Sequence, residues 1–160
     1  MAQKDAEVLI LGSMPGEESL RRNEYYGNPR NSFWEIMGIL FGFNPGLNYN
    51  ERVNVLKKNR IALWDVMKEC ERSGSLDTGI KGESIVENDF ISFYSLFPAI
   101  RAVFFNGSRA EKEYMKRVLP GLSGLKYKIR HLRLPSTSPA MTRLSLNDKI
   151  LIWSGIRSKI

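Results

Sequence analysis

Three short segments of this chain hold the residue types that could do chemistry. The first, Gly12-Ser13-Met14-Pro15-Gly16, places two glycines and a proline directly after an apolar run. Glycines let the backbone approach a ligand closely, and exposed N–H groups in such a turn can hold an anion or a base oxygen. No Gly-Lys-Ser/Thr follows at P-loop spacing, and the glycines do not form a dinucleotide fingerprint. The second, Tyr25-Tyr26-Gly27-Asn28-Pro29-Arg30-Asn31-Ser32-Phe33-Trp34, sets an aromatic pair, a proline turn and the amide of Asn31 just ahead of a helix. These suit a platform for a flat heterocycle beside an amide that holds water. The same residues read equally as packing tyrosines and a helix cap. The third, Leu134-Pro135-Ser136-Thr137-Ser138-Pro139-Ala140, stiffens three hydroxyls between prolines. Short hydroxyls and fixed amides of this kind can clamp phosphates, or can simply make a polar loop.

The elements that must position these segments follow from apolar spacing. Val8-Leu9-Ile10-Leu11, Ile61-Ala62-Leu63-Trp64 and Ala102-Val103-Phe104-Phe105 are continuous apolar runs closed by turn residues, and residues 127–134 complete a set of four predicted strands. Phe33, Ile36, Met37 and Leu40 recur at helical spacing, and Ser32 with Glu35 predicts a capping box there. Further helices are predicted over 51–58 and 88–96, from Ser108 with Ala110, Tyr114 and Val118 on one face, and after a Ser145–Asp148 capping box with Ile152, Trp153 and Ile156 inward. A loop rich in glycine, serine and charge spans 73–83. Strands alternating with helices predict an α/β fold, a three-layer αβα sandwich on a central four-stranded parallel sheet. No repeat or long linker divides residues 1–160, so one domain is expected. In such folds ligands lie beyond the carboxyl ends of the strands. Those ends carry Gly12 to Gly16, Asp65, Asn106-Gly107 and Pro135 to Pro139, which places the site at one edge.

Composition narrows the class of function. The 160 residues are 42% hydrophobic and 26% charged, a globular balance. No run approaches the roughly 18 apolar residues of a membrane span, and the polar start shows no signal peptide. One cysteine, Cys70, excludes an internal disulfide and fits a reducing compartment, so a cytoplasmic protein is expected, at the nucleoid in a bacterium or archaeon. One cysteine and one histidine fall short of a zinc set, and the carboxylates lack calcium-loop spacing, so no metal and no cofactor are expected. Twenty-four Lys+Arg against seventeen Asp+Glu give a formal charge of +7, which favours a polyanionic partner without naming a reaction. Lys126, Lys128, Arg130 and Arg133 gather on the fourth predicted strand.

Taken together, the segments resemble the uracil-DNA glycosylase superfamily, with its Gly-x-x-Pro-Gly turn after the first strand and Pro-Ser loop after the last. The nearest resemblance is to the hypoxanthine-DNA glycosylase branch, also called family 6. It rests on Leu11 to Gly16, Tyr25-Tyr26, Asn28-Pro29, Asn31, Phe33-Trp34, Leu63-Trp64-Asp65-Val66, Gly74-Ser75-Leu76-Asp77 and Leu134 to Ala140, in order along nearly the whole chain. Met14 fills the place where mismatch-specific relatives carry an asparagine, and a methionine cannot hold the attacking water. What the resemblance implies is that this role passes to Asn31, and that Tyr26 is the aromatic that stacks on a flipped base. Leu134 stands where the best-known uracil-specific branch has histidine, and His131 lies three residues too early to replace it, so His131 reads as structural.

The expected reaction is hydrolysis of the N-glycosidic bond of a deaminated base flipped out of DNA, leaving an abasic site. Gly12, Ser13, Met14, Pro15, Gly16, Tyr26, Phe33 and Asn106 are the expected base-binding residues. Asn106 qualifies because an amide both donates and accepts. Ser136, Thr137, Ser138 and Arg143 are expected on DNA, with Arg143 entering or bordering the vacated stack. The motifs show no matched pair of carboxylates of the kind sugar hydrolases use, and Glu17 and Glu18 read as helix-start residues. No lysine is placed for a Schiff base, so strand cleavage is not expected. The expected form is a monomer. Uracil or a G/T(U) mismatch as substrate remains an alternative on the same fold, as does a DNA-binding relative without catalysis.

Overall fold

Strand β1 (Val8–Gly12) is buried at all five positions, as its unbroken apolar run requires of a strand covered on both faces. The structure is a computed structural model that describes residues 1–124 and 128–159. After β1 come helices α1 (Glu17–Arg22), α2 (Phe33–Phe41) and α3 (Tyr49–Lys58), then strand β2 (Ile61–Asp65). A short antiparallel pair, β3 (Met67–Glu69) with β4 (Val86–Glu87), brackets the glycine-rich loop and precedes α4 (Phe90–Leu96). Strand β5 (Ala102–Asn106), helix α5 (Ser108–Glu113), strand β6 (Arg130–Leu134) and helix α6 (Leu146–Trp153) complete the order.

The main sheet runs β2-β1-β5-β6 with every pair parallel, so all four carboxyl ends share one edge. Its register sets Gly12 beside Asp65 and Asn106 beside Leu134. Successive side chains of a strand point to opposite faces, and the core divides accordingly. Leu9, Leu11, Val103 and Phe105 pack with Phe90, Phe93, Tyr94 and Tyr114 on one face. Val8, Ile10, Ala102 and Phe104 pack with Phe33, Ile36, Met37, Leu56 and Trp153 on the other. The fold is the expected α/β three-layer sandwich. Each large side chain removed from water this fully contributes about 1.5–3 kcal/mol.

Local expectations fare unevenly. The Ser145–Asp148 capping box forms, with Ser145 Oγ accepting from the Asp148 N–H at 3.2 Å and Asp148 Oδ2 from the Ser145 N–H at 3.1 Å. Trp153 and Ile156 face inward, but Ile152 is exposed, because it sits on the far side of α6 from the sheet. The Ser32–Glu35 box does not form. Ser32 Oγ donates to the Thr137 carbonyl at 3.2 Å, and Asn31 Oδ1 accepts from the Phe33 N–H at 3.0 Å in its place. The helix from Ser108 relaxes into a π-turn over Tyr114–Val118, keeping Ala110, Tyr114 and Val118 buried. The fourth strand begins at Arg130; Lys126 and Tyr127, expected within it, lie outside the described residues. As the edge strand, β6 is largely exposed, and its Arg133 pairs with Glu111 at 3.1 Å.

Candidate active site

A cavity of about 930 Å3 opens at the carboxyl edge of the sheet, within the size range of small-molecule sites. Its floor is the end of β1 and β2. A Cβ on Gly12 would lie 2.3 Å from Asp65 Oδ1 and 3.5 Å from the Tyr26 hydroxyl, so only glycine leaves room for both groups. The turn that follows is tied down from below. The Val66 and Met67 N–H groups donate to the Gly12 and Ser13 carbonyls at 3.0 Å, and Arg72 donates to the Pro15 carbonyl at 2.7 Å. Met14 packs on the small cluster of Met67, Ile80 and Ile85, which gives its apolar side chain a structural place. The N–H groups of Met14 and Gly16 donate to no described residue.

One wall is the segment before α2. The Trp34 indole N–H donates to the Tyr25 carbonyl at 2.9 Å, and the Tyr25 N–H donates to the Tyr49 hydroxyl at 3.1 Å. Directly after this doubly anchored residue, Tyr26 takes a left-handed backbone with φ of 55°, a conformation that costs a bulky residue of order 1–3 kcal/mol. The result is a ring stacked on Phe33 with centroids 3.9 Å apart and planes 22° apart. Burial pushes the Tyr26 hydroxyl, and that of Tyr25, well above the ordinary phenol range. Asn31 lines the cavity beside this platform. Its Oδ1 keeps a second lone pair and its Nδ2 both donors, since one bond to Phe33 uses one acceptor site.

The opposite wall is the loop after β6. The Trp153 indole N–H holds the Pro135 carbonyl at 2.9 Å, and Lys149 holds the Met141 carbonyl at 3.0 Å, so α6 fixes the loop at both ends. Gly107, at φ of 100°, lets Ser136 close on the end of β5. Asn106 and Thr137 bond reciprocally: Nδ2 to Oγ1 at 2.8 Å, and the Thr137 N–H to Oδ1 at 2.8 Å. The Thr137 carbonyl accepts from Ser32 N at 3.1 Å as well as from Ser32 Oγ. Thr137 therefore joins β5, the last loop and the start of α2.

The structure brings Gly12, Ser13, Met14, Pro15, Gly16, Tyr26, Asn31, Asn106, Ser136, Thr137 and Ser138 to one cavity. Three expected residues sit differently. Phe33 is fully buried behind Tyr26, where it supports the platform and does not line the cavity. Thr137 is 1% exposed, and its hydroxyl oxygen accepts from Asn106, so its first task is to hold the loop. Arg143 is exposed two residues beyond Met141 and is not among the lining residues. His131 pairs with Val103 from the edge strand β6 and lies against Phe105 and Tyr114; it is not among the residues lining the cavity.

Asp77 and Asp65 also line the cavity, although the sequence motifs that contain them assign neither a role. Asp77 accepts from Ser13 Oγ at 2.7 Å and brings the glycine-rich loop onto the first turn. Asp65 is 8% exposed, and burial pushes its carboxyl up to about 7. The signal was its place at a strand's carboxyl end. Among the described residues, no group of three or more His, Cys, Asp or Glu could hold a metal, and no helix is long and apolar enough to cross a membrane.

Residues 1–156 match the model of the uracil DNA glycosylase superfamily. A protein of Methanosarcina acetivorans named hypoxanthine DNA glycosylase is 43% identical over 145 residues, covering 90% of this chain and 86% of its own length. One of the same name from Methanosarcina barkeri is 43% identical over 108 residues, 67% of each. A solution NMR structure of a Methanosarcina acetivorans protein, described as a candidate uracil DNA glycosylase, superposes with a TM-score of 0.77 at 40% identity, covering 97% of this chain and 91% of that one. The chain belongs to the uracil DNA glycosylase superfamily and, within it, stands with the hypoxanthine DNA glycosylases.

Proposed function

We propose that this DNA glycosylase removes hypoxanthine from deoxyinosine, drawing the nucleotide out of the duplex and hydrolysing its N-glycosidic bond to leave an abasic site. The observation that carries the reading is the meeting of Asn31, the Tyr26 ring and the Gly12–Gly16 turn on one cavity, with methionine at position 14. The base slides onto Tyr26, whose other face is backed by Phe33. The free N–H groups of Met14 and Gly16 hold a base oxygen as negative charge develops on it. Asn31, oriented by its bond to Phe33, accepts from a water and aims it at the sugar carbon. Ser136 and Ser138 hold phosphates at the rim, with Arg143 beyond them. The described lining residues include no lysine to form a Schiff base, and the reaction proposed leaves the strand intact. The protein acts as a cytoplasmic monomer of one domain.

The second reading, uracil as main substrate, is favoured by the description of the solved relative. Single-turnover cleavage of matched duplexes carrying deoxyinosine or deoxyuridine separates the two. We expect deoxyinosine to be cleaved faster, with strand breakage appearing only after alkali. Faster release of uracil would transfer the assignment, and no release from either duplex would leave a DNA-binding protein without catalysis.

A further inference from the structure

The carboxyl of Asp65 has no use in the scheme above, and its surroundings are unusual. Buried carboxylates are ordinarily paired or hydrogen-bonded. This one makes no hydrogen bond and no ion pair with any described residue; only its main-chain carbonyl is engaged, by Asn88 Nδ2 at 2.9 Å. The space that it occupies over β1 exists because position 12 has no side chain. Its open side is the cavity floor, beside the Tyr26 hydroxyl. A partner that arrives with the ligand is what this geometry lacks.

The charged groups facing it act in opposite directions. The Met1 ammonium, held at the Leu63 carbonyl, and Arg72 favour the ionised form, while Asp77 opposes it. The hydroxyls of Tyr25, Tyr26 and Tyr49 are pushed up chiefly by burial and in part by the charge of Asp65. Loss of water outweighs the two cations, so the acid form is well populated near neutrality.

We propose that Asp65 is the general acid of the reaction, its carboxyl O–H giving a proton to N7 of the departing purine as the bond from C1′ to N9 breaks. This rests on the glycosylase reading above. The electron pair of the broken bond stays on N9 and the proton arrives at N7, so hypoxanthine leaves neutral. The cationic sugar takes the water held by Asn31, whose extra proton passes to solvent, and the Asp65 carboxylate regains a proton from solvent. N7 is the most basic of the ring nitrogens still free in a hypoxanthine nucleoside. Uracil offers no counterpart, because its other ring nitrogen already carries hydrogen and its charge spreads over two carbonyl oxygens. The acid therefore favours a purine.

The test is single-turnover cleavage of deoxyinosine DNA by the full chain and by Asp65→Asn, from mildly acidic to mildly alkaline pH. Asparagine keeps the shape and can still donate a hydrogen bond to the base, but cannot deliver a proton. The unsubstituted protein should slow as pH rises through about 7, and Asp65→Asn should be slower by about a hundredfold or more at low pH, without that decline. On 7-deaza-2′-deoxyinosine the two proteins should react at similar rates, since N7 is gone. Urea unfolding at each pH separates chemistry from folding. A wild-type rate in Asp65→Asn, the same alkaline decline in both proteins (which would assign it to the Met1 ammonium), or an undiminished difference on the deaza substrate would each overturn the proposal. Failure of the unsubstituted protein to cleave deoxyinosine would instead overturn the functional reading, and this proposal with it.

Discussion

Asn31 and Asp65 line the same cavity, yet the fold treats them in opposite ways. The amide is held by a neighbour two residues along, through a bond from the Phe33 N–H that also serves the start of α2. The carboxyl stands at the end of β2 with no bond from any described residue, over a glycine from a different strand. One group is positioned by a contact that stabilises the helix. The other is kept in a place that costs stability whenever it ionises. The contrast teaches that local order and local cost meet in one site, and that the costly group is the one whose protonation state the site controls.

The harshest way to break this contrast is Gly12→Ala. Its Cβ would intrude on Asp65 Oδ1 at 2.3 Å, so the carboxyl must move. Crowding of this kind costs about 1–3 kcal/mol of stability, and displaced catalytic groups cost on the order of a hundredfold in rate. In the double variant Gly12→Ala/Asp65→Ala, urea unfolding should recover while cleavage does not. Recovery of both would show that the carboxyl is only an obstacle.

Asn31→Ala tests the other side. Losing the bond to Phe33 should lower stability by about 0.5–2 kcal/mol. Losing the water's acceptor should also cut single-turnover cleavage far more than this destabilisation accounts for. Asn31→Asp keeps the acceptor and should keep both stability and part of the rate. Normal cleavage by the destabilised alanine variant would reduce Asn31 to a cap.

Asp65→Asn sharpens the comparison through pH. The carboxyl titrates near 7 in the folded chain against an ordinary value of 3.8. Between these values the folded state holds more protons than the unfolded one, so the stability that Asp65 contributes is complete below the lower value and lost as pH rises through the upper. Asp65→Asn should therefore match the original protein only below the lower value, gain on it steadily between the two, and exceed it by a few kcal/mol in mild alkali. Parallel urea midpoints across that range would mean that the carboxyl is not desolvated.

The smallest expected effects are at Tyr26. Removing the ring in Tyr26→Ala should weaken capture of the base by roughly 1–3 kcal/mol. Tyr26→Phe keeps the stack on Phe33 and loses only the hydroxyl, which should cost about 1 kcal/mol or less. Equal losses in the two variants would move the role of Tyr26 from stacking to hydrogen bonding.

Much of this molecule was written in short stretches of sequence. The unbroken apolar runs of β1 and β5, the Ser145–Asp148 cap and the spacing of Phe33, Ile36, Met37 and Leu40 depend on neighbours within a few residues, and they led to the sheet and its covering helices. The convergence of the glycine turn, Asn106 and the last loop was also legible, because a parallel sheet with helical crossovers puts all of its carboxyl ends on one edge. What only the tertiary structure decided were the bonds across that edge. Ser32 abandons its predicted cap for a carbonyl 105 residues away, Ser13 meets Asp77 across 64, and Thr137 turns from the rim to hold Asn106 across 31. Asp65 acquires its raised acidity range only because sheet register stacks it on Gly12, out of water. Such partners compete with local ones on burial and register, and those quantities exist only once the strands are paired.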